Sequence, residues 1–177
     1  RYSPVPRNKS LSSDWGIEDK FVIGYIGTHG MAHGLVNVLD AAEELSNDPE
    51  ILFLFVGGGA EKGDLLDVAR SRGLKNVVFK PTQPKSMMRD VWSMCDIALV
   101  HLKNSPIFGE VVPSKIFEAM AMGKPIILVS PTGEASELIL RHGVGCWVEA
   151  ARPKQLAQVV KKLSSDVDLL ERLSTSS

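Results

Sequence analysis

The run Ile51-Leu52-Phe53-Leu54-Phe55-Val56, closed by Gly57-Gly58-Gly59, decides the fold. Its six consecutive apolar residues do not alternate with polar ones. They therefore predict a strand that helices cover on both faces, as in parallel sheets. An earlier run of the same kind, Phe21–Ile26, ends at Gly27, and apolar residues at helical spacing separate the two runs. Strands thus alternate with helices, which predicts a doubly wound α/β domain with about six parallel strands.

The rest of the chain continues this alternation up to its C-terminal helical segment. Further strands are predicted over residues 76–79, 96–102, 125–129 and 145–149. Helices are predicted over about 84–94, 114–122, 134–142 and 153–174, and Leu65, Leu66 and Ala69 indicate one more helical face. Gly73 and Gly143 are expected to end helices, because glycine adopts the left-handed conformation that suits helix C-termini. Residues 1–20 are rich in proline, serine and charge, and they predict a linker with at most local turns. The folded domain is expected over residues 21–177.

Composition excludes several classes of protein. The 177 residues include 20 Lys plus Arg against 21 Asp plus Glu, and a formal net charge of −1 argues against a general nucleic-acid binder. The two cysteines are expected to be free thiols, and no histidine or cysteine spacing predicts a metal site. No apolar run reaches the ~18 residues of a membrane span and no signal peptide is visible, so we expect a cytoplasmic protein. The chain begins without Met, which suggests a piece of a larger protein.

Ligands of doubly wound sheets bind at the carboxyl ends of the strands, and the segment 108–125 is the strongest candidate there. Ser114 is predicted to be a helix N-cap, which places Glu118 just past the first helical turn. A carboxylate is favoured there and can accept two hydroxyl groups of a ribose, although a solvated or capping role is the alternative. The amides of the 112–115 turn could hold a diphosphate, and Lys115 would add a positive charge. Glu110, in the preceding loop, could contact another part of the same ligand.

Two glycine-rich loops are further candidates. After the first strand, Gly27 and Gly30 would let a phosphate approach backbone amides, and His29 and His33 could donate to it. The alternative for either histidine is an ordinary surface position. The spacing of these glycines is not G-x-G-x-x-G, which argues against a dinucleotide-binding fingerprint.

After the second strand, Gly57 and Gly58 predict a tight turn or a close backbone approach, which packing alone could also explain. The loop Phe79-Lys80-Pro81-Thr82, just past the third strand, could read the edge of a base with its backbone groups. A plain turn is the alternative there.

The segment from Glu110 to Glu118, followed by Ala-Met-Ala-Met-Gly-Lys-Pro, resembles the signature of retaining glycosyltransferases of the GT-B fold, in the broad family 4 group (glycosyl transferases group 1). The resemblance covers about residues 20–165. It implies a Rossmann-like domain that corresponds to the C-terminal, donor-binding half of a two-domain enzyme. The missing N-terminal half would bind the acceptor, so the isolated chain is expected to be inactive.

The resemblance also implies roles for individual residues. Glu118 would bind the ribose, Glu110 would act catalytically at the transferred sugar, and the turn at Phe79–Pro81 would hold the base. Val112, Pro113 and Ser114 would lie near the diphosphate, as would the loop around Gly30. The chain departs from the family at Thr28 and His33, where many members carry an Arg and a Lys on the diphosphate.

The substrate implied is a UDP- or GDP-sugar of hexosyl or N-acetylhexosaminyl type, used without a metal or other cofactor. The first loop resembles that of the branch which builds bacterial surface polysaccharides and lipopolysaccharides. A lipid-linked glycan is the acceptor expected for that branch, and the whole protein could lie at the inner face of the membrane.

Two other functions remain open at this point. A nucleotide-sugar 2-epimerase of the GT-B fold would also surround a UDP-sugar with acidic and basic groups, although the run from Pro113 to Pro125 argues against it. A non-catalytic interaction domain of the receiver type would need an acidic cluster after strand one and an Asp after strand three. The sequence has Gly27 and Lys80 at those places.

Overall fold

Six parallel strands form one sheet in this protein, whose computed structural model describes residues 2–176. The strands are β1 (Phe21–Ile26), β2 (Ile51–Val56), β3 (Val77–Lys80), β4 (Ile97–His101), β5 (Ile126–Ser130) and β6 (Gly145–Glu149). Their order across the sheet is β3-β2-β1-β4-β5-β6, and every neighbouring pair is parallel. The prediction of a doubly wound parallel sheet is confirmed. The order differs from the 2-1-3-4-5 arrangement of flavodoxin-like and receiver domains.

Helices cover both faces of the sheet. They are α1 (Lys9–Asp14), α2 (Val36–Glu44), α3 (Lys62–Ser71), α4 (Met88–Ser93), α5 (Ser114–Ala121), α6 (Glu134–His142), α7 (Pro153–Ser165) and α8 (Val167–Ser176). Alternate residues of β2 enter two separate cores: Phe53 and Phe55 pack with α2 and α7, whereas Leu52 and Leu54 pack on the side of α4 and α5. All of β2 is buried, which explains why its sequence shows no alternation.

The prediction of at most local turns over residues 1–20 is wrong. Asn8 caps α1, because its side-chain oxygen accepts a hydrogen bond of 2.9 Å from the amide of Leu11. Ile17 is fully buried, and the Arg7 guanidinium donates to the carbonyls of Met94 (2.9 Å) and Lys20 (3.1 Å). A six-residue helix is too short to produce a clear period in the sequence, so composition was a poor guide here.

Smaller differences concern helix boundaries. The predicted helix 84–94 is a 3₁₀ turn, Lys85–Met87, followed by α4. The predicted helix 153–174 is two helices that break at Asp166, whose carboxylate accepts from the amide of Leu169 at 2.9 Å and so starts α8. The α6 boundaries are as predicted, and Gly143 follows the helix with φ of 61°.

Candidate functional site

A cavity of about 1070 Å³ opens at the carboxyl ends of β1, β2 and β4. In the sheet order, β1 and β4 are neighbours, and chain connections leave them in opposite directions. This is the topological switch point at which doubly wound sheets bind ligands. The start of α5 and the loops that follow β1 and β3 form the remaining walls. The position of the cavity is therefore the one that the strand pattern predicts.

The cavity brings together only part of the predicted residue set. The residues that line it are Gly27, His33, Gly57, Gly58, Pro113, Ser114, Lys115 and Glu118. Those placed outside its lining are His29, Gly30, Phe79, Lys80, Glu110 and Val112. The two groups come from the same loops, so burial and strand-end geometry decide which members reach the cavity.

Glu118 and Lys115 lie side by side at the start of α5. The Lys115 ammonium donates to both carboxylate oxygens of Glu118, at 3.1 and 2.9 Å. The Lys115 side chain is 33% exposed and the Glu118 side chain 22%, so the pair is partly shielded but open to a ligand. The ion pair places a carboxylate and a cation at one wall of the cavity.

The helix start differs from the prediction at Ser114. Pro113 occupies the N-cap position with an extended backbone, and Ser114 is the first helical residue without a capping hydrogen bond. Proline fixes φ near the value that precedes a helix, which displaces the serine by one position. Glu118 remains just past the first turn, and the amides of that turn face away from the helix body, where an anion can meet them.

The loop between β1 and α2 is fixed to β4 by a reciprocal pair of hydrogen bonds. The ring Nδ1 of His101 lies 2.5 Å from the carbonyl of His33, and the ring Nδ1 of His33 lies 3.3 Å from the carbonyl of His101. A carbonyl only accepts, so Nδ1 carries the proton in both rings. Burial lowers the pKa of His101 to about 4, so its ring is neutral near pH 7. Sequence reasoning missed His101, although a histidine at the end of an apolar strand was a visible signal.

His29 has a structural place beneath the cavity. Its side chain is fully buried, and its ring lies near those of Tyr25, Phe55 and Phe79 at centroid distances of 5.9 to 6.1 Å. Burial, with smaller effects from Lys62 and His33, lowers its pKa to about 4. Its backbone amide donates to Gly58 at 2.9 Å. The backbone of His29 thus joins the first loop to the glycine turn.

The turn Gly57-Gly58-Gly59 after β2 lies very close to the backbone of the loop that follows β1. A Cβ atom on Gly57 would lie 2.0 Å from the carbonyl oxygen of Gly27, and one on Gly59 would lie 2.6 Å from that of His29. Both glycines have φ of 150°. Any side chain there would push the first loop away from the sheet. The packing interpretation of this turn therefore holds, while Gly57 and Gly58 also line the cavity.

The cavity wall after β3 begins at Thr82, the last residue of the loop predicted to read a base. Phe79 stacks on Phe55 with ring centroids 4.8 Å apart, and the Lys80 ammonium lies 5.5 Å above the Trp15 ring. The residues that line the cavity from this part of the chain are Thr82, Gln83, Lys85, Ser86, Met88 and Arg89. Lys85 and Arg89 add two cations that sequence reasoning missed. Their signal was weak, because basic residues near a helix start are common on any surface.

Glu110 ends the 3₁₀ turn Pro106–Glu110 and is exposed. Phe108, two residues before it, and Val111, directly after it, line the cavity. A Cβ on Gly109 would lie 2.9 Å from the carbonyl of Thr132, so this turn packs on the loop before α6. Glu110 is therefore held close to the rim of the cavity without reaching its walls. Tyr2, near the first residue of the chain, also lines the cavity, and the sequence did not predict this.

Residues 2–176 contain no group of three or more His, Cys, Asp or Glu side chains that could hold a metal ion. Within the same residues, no helix has both the length and the apolar character needed to cross a membrane.

Comparison with known families identifies the chain. Residues 8–177 match the family model of the glycosyl transferases group 1. The chain belongs to this family. The resemblance of the Glu110–Glu118 segment is thereby confirmed, and so is the fold that it implied.

Individual relatives agree with the family. The chain is 34% identical over 113 residues to the "Putative colanic acid biosynthesis glycosyl transferase WcaI" of Escherichia coli K12, which covers 64% of this chain and 27% of that protein. It is 30% identical over 168 residues to the "Probable glycosyltransferase WbjE" of Pseudomonas aeruginosa, covering 90% of this chain and 40% of the relative. This group 1 chain therefore spans less than half the length of both relatives.

Solved structures share its fold. Anabaena Alr3699/HepE in complex with UDP and glucose has a TM-score of 0.83 at 21% identity, covering 99% of this chain and 47% of that one. The C-terminal domain of the group 1 family protein LpcC from Francisella tularensis has a TM-score of 0.76 at 19% identity. That match covers 99% of this chain and 91% of the LpcC domain. The fold is thus that of a separately crystallised C-terminal domain.

Proposed function

We propose that this chain binds the nucleotide-diphospho-sugar donor of a retaining glycosyltransferase that builds a bacterial surface polysaccharide. The observation that carries the proposal is the Glu118–Lys115 pair at the start of α5, on the wall of the cavity at the switch point. The names of the relatives support the polysaccharide, since WcaI is described in terms of colanic acid and a Bacillus subtilis relative in terms of teichuronic acid. The UDP in the HepE complexes favours a UDP-sugar over a GDP-sugar.

Each end of the nucleotide has a matching group in the cavity. The Glu118 carboxylate has lone pairs for both hydroxyls of a ribose, and a ribose that binds there would replace Lys115 as its partner. Lys115 is then free to turn towards the diphosphate, together with the amides of the first turn of α5. His33 stands in the first loop in place of the family's usual cations; because its Nδ1 is taken by the carbonyl of His101, the ring would donate to the diphosphate through Nε2 in its imidazolium form. The loop from Thr82 to Arg89 would surround the base.

Transfer with retention requires a cationic, oxocarbenium-like sugar and a leaving diphosphate to be stabilised together. In our proposal Lys115, His33 and the positive end of α5 stabilise the leaving diphosphate without a metal ion. Glu110, at the rim, would face the transferred hexosyl or N-acetylhexosaminyl group. A lipid-linked glycan would reach that sugar from an N-terminal domain of the whole protein. The isolated chain would bind donor but not transfer sugar, and the whole protein would act in the cytoplasm at the inner face of the membrane.

Calorimetric titration of the 177-residue chain with UDP, GDP and UDP-glucose tests the proposal. We expect Glu118→Ala to weaken UDP binding about 10- to 100-fold, since hydrogen bonds between a charged group and two hydroxyls are lost. Glu137→Ala, an exposed glutamate in the first turn of α6, is the matched control and should bind like the wild type. If no nucleotide binds while circular dichroism shows an intact fold, the proposal is wrong.

A further inference from the structure

Tyr2 reaches the cavity from a segment that precedes the sheet. It lines the same cavity as Glu118 and packs against the core on the side of α4 and α5. Two contacts, made by the residues that follow Tyr2, hold this segment in place. The Arg89 side chain donates to the carbonyl of Ser3 at 3.3 Å, and the ring of Pro4 lies 3.3 Å from where a Cβ on Gly123 would stand. The position of Tyr2 is therefore set by α4 and by the end of α5.

The Tyr2 phenol lies beside the carboxylate of Glu118. Burial, the charge of Glu118 and a side-chain hydrogen bond to Glu118, in that order, raise the pKa of Tyr2. A protonated phenol is a donor and a carboxylate only accepts, so the Tyr2 hydroxyl is placed to donate to Glu118 across the cavity wall that they share. Glu118 has two neighbours in this structure, because Lys115 also contacts both of its oxygens.

Lys115 and Tyr2 would respond differently to a bound nucleotide sugar. Lys115 is a flexible cation, and in the function proposed above it turns towards the diphosphate. The tyrosine has few rotatable bonds and a fixed backbone, so it can keep its hydrogen bond when Lys115 leaves. A carboxylate has about four lone-pair sites, which leaves enough for two ribose hydroxyls when one is taken by Tyr2.

We propose that Tyr2 is a positioning residue of the donor site, which orients the Glu118 carboxylate towards the two hydroxyls of the ribose. This inference rests on the proposed function, because it requires a ribose at Glu118. It assigns the ribose end of the site to two parts of the chain, the start of α5 and the segment before β1. The hydroxyl of Tyr2 carries the effect, and its ring forms the adjoining wall.

The test compares UDP with 2′-deoxy-UDP, which lacks one of the two hydroxyls. Calorimetry on the whole 177-residue chain gives the ratio of the two affinities for the wild type and for Tyr2→Phe, which keeps the ring but not the hydroxyl. We expect Tyr2→Phe to weaken UDP binding about tenfold and 2′-deoxy-UDP binding about threefold or less, so that the ratio falls. Phe117→Ala, on the exposed side of α5, is the control and should keep the wild-type ratio.

The outcomes separate this inference from the proposed function. If Tyr2→Phe weakens both nucleotides equally, or neither, while thermal unfolding shows an intact fold, then Tyr2 does not orient Glu118 and the inference is wrong. The proposed function survives that result, since the wild type still binds UDP. If the wild type binds neither nucleotide, both proposals fall together.

Discussion

Two neutral imidazoles lie buried around the cavity, and they make folding depend on pH. The His29 side chain is fully buried and that of His101 is 1% exposed. Among residues 2–176, neither ring nitrogen of His29 nor the Nε2 of His101 has a hydrogen-bond partner. A charged imidazole is disfavoured in such surroundings, which is why burial lowers the pKa of both rings from 6.5 to about 4.

The sign of the effect follows from which state binds protons first. As the pH falls below 6.5, the unfolded chain protonates these histidines, while the folded chain does so only near pH 4. Stability is therefore full above about pH 6.5 and is lost between pH 6.5 and 4. We expect His29→Leu to reduce the loss of unfolding free energy between pH 7 and pH 5 by about 1–2 kcal/mol. Urea unfolding at the two pH values measures it.

His142→Leu is the control for this prediction. His142 is exposed in the last turn of α6, and its replacement leaves both buried imidazoles in place. The control should lose as much stability on acidification as the wild type. An equally steep loss in His29→Leu would contradict the prediction.

At the scale of elements, the contact between the first loop and the glycine turn shapes the cavity floor. Besides the amide of His29, the amide of Gly27 donates to Val56 at 3.0 Å, and that of Glu61 donates to His29 at 2.9 Å. Two strand ends are thus joined by backbone alone, with no side chain between them. This contact leaves both loops free to present their outer surfaces to a ligand.

Two glycine substitutions should show that the close backbone contact at Gly57 stabilises the fold, in contrast to a glycine that lies in an open part of a helix. Gly57→Ala would place a methyl group 2.0 Å from the Gly27 carbonyl, so we expect it to destabilise the protein by about 2–4 kcal/mol and to weaken UDP binding. Gly63→Ala lies near the start of α3 with nothing within 4 Å of the new Cβ, and should stabilise by about 0.5–1 kcal/mol. Chemical denaturation of both variants checks the pair. Two variants of equal stability would contradict the role of the turn.

The sequence predicted elements well where burial imposes a pattern. β2 has the expected composition because helices cover it on both faces, and α6 ends where Gly143 allows a left-handed turn. The prediction of elements from the sequence failed where one or two contacts decide the local structure. The short helix α1 depends on the Asn8 cap and on burial of Ile17, neither of which produces a period.

At the scale of the whole molecule, the cavity is assembled from parts that are distant in sequence. Glu118 and Lys115 were predictable, because both belong to one local motif on one helix. Tyr2 and Arg89 were not, since their place depends on how the segment before β1 and the helix α4 pack together. Phe79 shows the reverse error, because a strand-end residue that looked accessible is stacked on Phe55.

A binding site of this kind should couple the ligand to the stability of the whole domain. A nucleotide that binds only the folded chain raises the unfolding free energy by about 2.7 kcal/mol at about 100 times its Kd, which for a domain of this size is a shift of about 5–10 °C in Tm. We expect the shift to fall from UDP to UMP and again to uridine at equal concentration, because the diphosphate is progressively removed from Lys115 and from the start of α5. Differential scanning fluorimetry measures the series.

The variant Lys115→Met separates the two ends of the ligand in this series. It removes the cation but keeps the length of the side chain, so the difference between UDP and uridine should shrink. The uridine shift should change little, because Glu118 remains available to the ribose. Equal shifts for UDP and uridine in the wild type would show that no group in the cavity recognises the diphosphate, and the placement of that subsite at the start of α5 would be wrong.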